Sequence, residues 1–395
     1  TVFYACMTFL ATGSAATAQT ATNQTFDDQA SSYRLFMLGR HFEGEGELES
    51  AIAAFRDAAQ LDREAAEPLA ELSGLFARAG RADEAITAGE EALIRDSENR
   101  TAHRILGLTY ASSAGGREAS SRDVTRAISH LSQARGALIP DLQIDLTLAR
   151  LYLRTDAIDD ATELLEELAR DEAGVIEVSL LLSQAYEQAG RHDLALETLE
   201  TAVITGRPSY RSLARLGEMY EQRRRWREAA GAYAQAVALN PRNASVRRRL
   251  AGALLEFGEI DRARVVLQEL IEMRPRDAAS LHLLAEVELE LNNFTSTESI
   301  ARQLVELEPE GLRGPFVLAQ VHSRRREHQA VVDTLQPVVD AARARDVRPD
   351  RLVRSIALLG FAYGQLGDFE AAIQIYEAAI EEMPNNLAFQ TRLAR

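Results

Sequence analysis

Hydrophobic residues in the stretch from Tyr210 to Pro241 recur at helical spacing in two successive runs. The first run consists of Leu213, Leu216 and Tyr220. The second run, after a polar break, consists of Trp226, Ala229, Tyr233 and Ala236. Residues that recur at steps of three and four share one face of a helix. The stretch therefore predicts two amphipathic helices joined by a short turn.

The same pattern recurs along almost the whole chain, most often with a period of thirty-four residues. A leucine followed by a small residue marks the first helix of each unit, at Leu38, Leu72, Leu106, Leu148, Leu182, Leu216, Leu250, Leu284, Leu318 and Leu359. A second column, mostly alanine, marks the second helix, at Ala51, Ala85, Ala127, Ala161, Ala195, Ala229, Ala263, Thr297, Val331 and Ala372. We expect both columns to be buried, with the small residues where two helices approach closely.

The best copy of the unit is similar to the tetratricopeptide repeat. The resemblance lies in the period and in Leu216, Gly217, Tyr220, Ala229, Tyr233, Ala236 and Pro241. It implies an all-α fold, a right-handed superhelical α-solenoid of about ten tetratricopeptide helix-turn-helix repeats. It also implies that the first helix of each repeat lines a concave face. The signature positions build the scaffold, so they do not identify the partner.

The repeats are expected over residues 32–386. Two leucine spacings exceed the period, which predicts insertions near 112–123 and 341–350. The first is rich in Gly and Ser and is expected to be a surface loop. The second is expected to extend the second helix of repeat nine. Residues 387–395 are either a capping helix or the start of a truncated eleventh repeat.

The first residues are similar to an export signal. Residues 1–18 carry no charge, Val2 to Leu10 form an apolar run, and small residues end at Ala18. We expect a signal peptide remnant over 1–18 with cleavage after Ala18, a bacterial source, and a periplasmic or cell-surface location. An uncleaved signal would be the protein's one contact with a membrane.

Residues 19–31 are polar and are expected to form a flexible linker. The single cysteine, Cys6, lies within the expected signal, so a cleaved chain would have no thiol. An alternative in which Cys6 is acylated fits the neighbouring residues poorly, because the apolar run continues beyond it.

The composition argues against polyanionic partners. The formal net charge is -16, and all 44 basic residues are arginine. An acidic chain repels nucleic acids and anionic membranes on average, so neither is expected as a general partner.

No motif for chemistry is found in the sequence. His192 and His328 share the column of Trp226, which we assign to the core, while His322 replaces a tyrosine and His103 a leucine. No histidines have metal-ligand spacing, and there is no glycine-rich phosphate loop or nucleophile elbow. We therefore expect no catalytic, cofactor or metal site, no small-molecule substrate, and a protein that is not an enzyme.

The candidate binding residues lie on the first helices, at positions that do not belong to the buried leucine and small-residue columns. They are Arg104, Arg150, Arg154, Gln184, Glu187, Glu218, Glu221, Arg248, His282, Glu286, Phe316 and Phe361. Their mixed character favours an extended segment of another protein, lying across several repeats. A scaffold in a cell-envelope assembly is therefore the first hypothesis. The alternatives are a solenoid that self-assembles into filaments or rings, and the interaction region of a larger, truncated enzyme.

Overall fold

The computed structural model describes residues 27–114, 120–136, 141–171, 174–345 and 352–383, together with 387, 390 and 391. The expected signal over 1–18, Cys6 and the first part of the expected linker lie outside the described residues, as do 115–119 and 346–350 of the two expected insertions. The described residues contain helices and turns and no strand.

The chain divides within its tenth helix into two units, residues up to Ala202 and residues from Val203. The helices of the first unit are α1 (27–44), α2 (Leu48–Leu61), α3 (Glu67–Arg78), α4 (Ala82–Arg95), α5 (Arg100–Ser113), α6 (Ser121–Ala134), α7 (Leu142–Arg154), α8 (Ile158–Asp171), α9 (Ile176–Gln188) and most of α10 (His192–Thr205). Each odd-numbered helix and the even-numbered helix after it form one repeat.

The second unit continues the same alternation. Its helices after α10 are α11 (Tyr210–Gln222), α12 (Trp226–Leu239), α13 (Ala244–Phe257), α14 (Ile260–Met273), α15 (Ala278–Glu290), α16 (Phe294–Leu307), α17 (Arg313–Arg324), α18 (His328–Ala344), α19 (Val353–Leu366) and α20 (Phe369–Glu382). The expected fold class, an all-α solenoid of tetratricopeptide helix pairs, is confirmed.

Most column leucines are buried. Those with a relative exposure of 7% or less are Leu72, Leu106, Leu148, Leu182, Leu216, Leu250, Leu284 and Leu359. Leu318 is half-buried, and Leu38 is 42% exposed.

Leu38 lies on α1, where no described helix precedes it to cover that face. Arg34 and His41 on α1 are exposed too, although the matching positions of α13 are the buried Val246 and Ala253. This face of α1 thus carries an arginine and a histidine where α13 carries buried apolar residues.

The small residues after the column leucines lie where the two helices of a repeat meet. A Cβ atom on Gly217 would lie 2.5 Å from Cε1 of Tyr233, and one on Gly360 would lie 2.4 Å from Cζ of Tyr376. Non-bonded carbons pack at about 3.5–4.0 Å. A larger residue at either position would therefore overlap the aromatic ring of the second helix.

In nine repeats, the turn between the two helices contains one residue in the left-handed conformation, eight positions after the column leucine. The tenth is repeat three, where residues 115–119 lie outside the described residues. It is glycine at Gly46, Gly80, Gly190, Gly258 and Gly367. It is not glycine at Asp156, Arg224, Asn292 and Arg326. Glycine adopts this conformation without the steric cost that a Cβ atom imposes. The first helix therefore ends six or seven residues after the column leucine in each of these repeats, whichever residue supplies the turn.

One boundary differs from that expected from the sequence. Residues 27–31, inside the stretch 19–31 expected to be a linker, are helical. α18 has 17 residues, whereas α12, α14 and α16 have 14 each, in the direction expected from the second insertion. Residues 387, 390 and 391 are helical.

Candidate functional site

Within each unit, the first helices of successive repeats lie beside one another on one side of the helix stack. α3, α5, α7 and α9 contact each other in turn in the first unit, and α13, α15, α17 and α19 do so in the second. We call the side formed by these odd-numbered helices the inner face. Each unit has a groove that is lined mainly by this face.

The groove of the first unit lies over α3 and α5 and has a volume of about 580 Å³. Its apolar lining includes Ala77, Ile105 and Leu108, and its charged lining includes Arg78 and Arg104. Its lining therefore combines apolar and charged side chains, as in many binding sites.

The groove of the second unit lies between α11, α13 and α15 and has a volume of about 420 Å³. The large apolar side chains that line it are Trp226, Leu255 and Leu283. The charged side chains that line it are Glu221, Arg248, Arg249, Glu256 and Glu286. It brings together three of the twelve residues expected to bind a partner, Glu221, Arg248 and Glu286.

Both grooves contain the glycine of one inner-face position, two residues after the column leucine. This position is Gly74 in the first groove and Gly252 in the second. Elsewhere it holds a larger residue: Arg40, Leu108, Arg150, Gln184, Glu218, Glu286, Gln320 and Phe361. A Cβ atom on Gly252 would meet nothing within 4 Å, whereas one on Gly74 would lie 3.0 Å from Cδ1 of Ile105. At Gly252 the missing side chain leaves open space.

Neither glycine is among the residues predicted from the sequence, because those residues were chosen for side chains that could touch a partner. Five of those residues, Arg150, Gln184, Glu218, Glu286 and Phe361, occupy the same inner-face position. Comparing that position across the repeats would have identified the two places where a side chain is missing.

The arginines expected to bind a partner in the first unit instead contact the protein itself. Nε of Arg104 donates to Oδ2 of Asp141 at 2.7 Å. Nη2 of Arg150 donates to Oε1 of Glu177 at 2.9 Å, and Nη1 of Arg154 donates to the carbonyl oxygen of Ala114 at 2.8 Å. Each bond joins one repeat to a neighbouring repeat. Of the other two candidates in this unit, Gln184 is exposed and Glu187 is half-buried.

Arg248 in the second unit repeats the contact of Arg104. Its Nη1 donates to Oδ1 and Oδ2 of Asp277 at 3.0 and 3.2 Å. Asp141 and Asp277 both cap the first helix of the next repeat, α7 and α15, by accepting from backbone amides. Burial acts to raise the pKa of both carboxyls, but hydrogen bonds and the neighbouring arginine hold each pKa below its ordinary value. These arginines therefore fasten adjacent repeats.

A buried tyrosine fixes one wall of the second groove. The hydroxyl of Tyr233 donates to Oε2 of Glu221 at 2.6 Å. Nη1 of Arg249 donates to the same oxygen at 3.1 Å, and its Nη2 lies 3.4 Å from Oε1 of Glu218. Burial and the bond to Glu221 raise the pKa of Tyr233, so its hydroxyl remains a donor. Glu218 and Glu221 therefore pair with Arg249 and Tyr233, so their carboxylates are less available to a partner.

The remaining candidates lie on α15, α17 and α19. Arg354 reaches across α17, donating from Nη2 to Oε1 of Glu286 at 3.0 Å. Its guanidinium carbon lies 4.8 Å from the centre of the Phe316 ring. Burial is the main cause of a lowered pKa at His282, whose Nδ1 has no hydrogen-bond partner among the described residues. Phe361 is 43% exposed.

A pair of histidines, which the sequence analysis did not bring together, lies inside repeat three. Nδ1 of His103 and Nδ1 of His130 are 2.9 Å apart. His103 is 4% exposed, as expected for a core residue. Burial lowers the pKa of His130, and the His103 ring beside it acts in the same direction. By contrast, His192 is exposed, so its assignment to the core was wrong.

Among the residues that the structure describes, no group of three or more His, Cys, Asp or Glu side chains could hold a metal ion. The described helices include none with the length and apolar character needed to span a bilayer.

Family models of the tetratricopeptide repeat match residues 36–100, 146–211, 221–287 and 353–386, which together make up more than half of the chain. The chain belongs to the tetratricopeptide repeat family. No curated protein matches it.

Several solved structures are similar to this tetratricopeptide repeat protein. One is the C-terminal part of a repeat-containing protein from Cytophaga hutchinsonii, at 13% identity and a TM-score of 0.47, covering 62% of this chain and 98% of that one. Yeast Tom70 has 13% identity and a TM-score of 0.40, with coverages of 92% and 95%. YrrB, described as having an unusual peptide-binding site, has 15% identity and a TM-score of 0.41, with coverages of 51% and 97%.

Membership of the tetratricopeptide repeat family supports a protein–protein interaction scaffold, and the matching models indicate no enzyme family. In this tetratricopeptide repeat protein, the groove beside Gly252 is an open part of the inner face of the second unit. The twelve candidate residues do not form one site: some line that groove and others fasten the repeats.

Proposed function

We propose that the chain is a non-enzymatic scaffold that binds an extended segment of a partner protein in the groove of the second unit. The observation that carries this proposal is the open space at Gly252, in a position that holds a larger residue in most other repeats. That space lies beside Trp226, Leu255 and Leu283, so an apolar side chain of a partner would be buried there. Burial of apolar surface is the main driving force of such binding.

Four of the five charged side chains that line the groove support the proposal because ion pairs within the protein already hold them in place. Arg248 is fixed by Asp277, and Arg249 is fixed by Glu221 and Glu218. A wall that is ordered before binding loses little conformational entropy when a partner arrives. The groove is therefore suited to binding without rearrangement of the repeats.

Filling the groove should abolish binding while leaving the fold intact. We expect Gly252→Leu to lose a partner that the unaltered chain retains in a pull-down from an envelope fraction, because the new side chain occupies the space of the partner's side chain. Gly231→Leu is the matched control. Gly231 lies on α12, is exposed, and also has no atom within 4 Å of a built Cβ. Loss of the partner from both variants, or from neither, would reject the groove.

A steric variant is a sharper test than charge reversal. Reversing the charge of Glu221 would also remove the acceptor of the Tyr233 hydroxyl and a partner of Arg249. A lost interaction could then reflect damage to the repeat. Circular dichroism of Gly252→Leu should instead show the helical content of the unaltered chain.

Head-to-tail self-assembly is the second candidate, and the exposed surface of α20 favours it. Phe369 is 67% exposed and Ile373 is 44% exposed. The residues matching Ile373 in α2 and α18, Ile52 and Val332, are only 3% and 8% exposed. Another helix pair could cover this face. Sedimentation should then show larger species that Ile373→Glu removes, and a monomer at every concentration would reject self-assembly.

Export to the periplasm or cell surface and a role in an envelope assembly also remain proposals, supported by the signal-like residues 1–18. Fractionation of the source cells tests them, and recovery in the cytoplasm alone would reject them. The possibility that the chain is part of a larger enzyme is tested by reading the gene beyond Arg395.

A further inference from the structure

We infer that the groove beside Gly252 takes a basic side chain, so that the partner is an extended protein segment in which arginine or lysine accompanies an apolar residue. This inference rests on the proposed function. It concerns the chemistry of the partner, which the family and the fold leave open.

The first observation is the balance of charge among the residues that line the groove. Both arginines are neutralised from within: Arg248 by Asp277 at 3.0 Å, and Arg249 by Glu221 at 3.1 Å. Glu286 is likewise paired, with Arg354 at 3.0 Å. Glu256 is exposed and has no ion pair or hydrogen bond within the described residues. The charge that the groove leaves unsatisfied is therefore negative.

The second observation is that the protein's own Arg354 shows how the inner face holds a basic side chain. The guanidinium of Arg354 lies over the Phe316 ring at 4.8 Å and donates to Glu286 at 3.0 Å. An aromatic ring and a carboxylate together thus hold one exposed arginine. Rings attract cations through their negative faces, and carboxylates add a charge-assisted hydrogen bond.

The groove beside Gly252 offers the same two features. Trp226 lines it, and so does Glu256, which has no ion pair within the described residues. Tryptophan is the aromatic residue that attracts a cation best. The carbon stem of an arginine or lysine would also bury apolar surface against Leu255. A neighbouring apolar side chain of the same segment would fill the space left at Gly252.

Three other partners fit these observations less well. An acidic segment would meet the carboxylate of Glu256 and a chain of net charge -16. A neutral segment would leave Glu256 unpaired. A second copy of this chain could supply an arginine, and this occupant is distinguished below by sedimentation.

The test compares three labelled peptides on the full chain by fluorescence anisotropy at physiological salt. They alternate leucine with arginine, with glutamine or with glutamate. We expect the leucine–arginine peptide to bind more tightly than the other two, and Gly252→Leu to weaken it at least about tenfold. Glu256→Gln should weaken it about threefold, the size expected for one exposed ion pair. Glu272 is exposed on α14 and does not line the groove. The controls Gly231→Leu and Glu272→Gln should therefore leave binding unchanged.

The possible outcomes separate this inference from the proposed function. If the glutamine or glutamate peptide binds as tightly and Gly252→Leu weakens it, the groove binds segments but the preference for a basic residue is rejected. If the leucine–arginine peptide binds equally well to Gly252→Leu, the attraction is general to the acidic chain, and both proposals fail for this groove. Self-association that Gly252→Leu removes would show a second copy as the occupant and overturn the inference.

Discussion

Replacing Leu216 with alanine is expected to lower the free energy of unfolding of the second unit by about 2–5 kcal/mol. Leu216 is 5% exposed on α11, so truncation removes buried contacts and leaves a cavity that the neighbouring helices only partly fill. Urea unfolding followed by circular dichroism measures the loss as a lower midpoint of the transition assigned to this unit.

A matched control lies in the same repeat. Leu239 ends α12 and is 56% exposed, so we expect Leu239→Ala to change the free energy of unfolding by no more than about 0.5 kcal/mol. A similar loss in both variants would mean that burial is not the cause. No loss at Leu216 would contradict the packing of α11.

The helices and their order could be predicted from the sequence because the same side-chain periodicity is imposed on each repeat. A leucine facing a neighbouring helix and a small residue at the closest approach are local requirements, repeated wherever two helices pack. Leu38 shows the limit of this reasoning. It occupies the leucine column, yet it is 42% exposed, because burial depends on the repeat that lies beside it.

The candidate site could be predicted only in part. The sequence shows which positions lie on the inner face, but not which side chains already have partners. Arg104 and Arg248 illustrate this point, since the aspartates they bind come from the following repeat. Trp226 illustrates the converse. Its column suggested a core residue, whereas the structure leaves it half-buried in the wall of the groove.

The groove itself results from a missing side chain. Gly217 directly follows a column leucine and Gly252 lies one position further along its helix, but this register alone does not show whether a neighbour fills the space beside each glycine. At Gly217 the ring of Tyr233 occupies the space, whereas at Gly252 the space is empty. What distinguishes them is the neighbour that faces each glycine, which only the packed structure shows.

This difference predicts a large loss of stability for Gly217→Leu. Its Cβ atom would lie 2.5 Å from Cε1 of Tyr233. The ring is fully buried, and its hydroxyl is held by Glu221 at 2.6 Å. The ring therefore has little freedom to move aside. We expect the free energy of unfolding to fall by at least about 3 kcal/mol, at the upper end of what overpacking costs. Urea unfolding measures it.

Two further variants show whether the clash with Tyr233 is the cause. Gly231→Leu places the same side chain on a helix with open space, so it should be neutral or stabilising by about 0.5–1 kcal/mol, as a better helix former than glycine. In the double variant Gly217→Leu with Tyr233→Ala, the new leucine would enter the volume left by the ring. We therefore expect a smaller combined loss than the sum of the two single losses. Strict additivity would place the cause in the helix backbone of α11 and contradict the proposed contact.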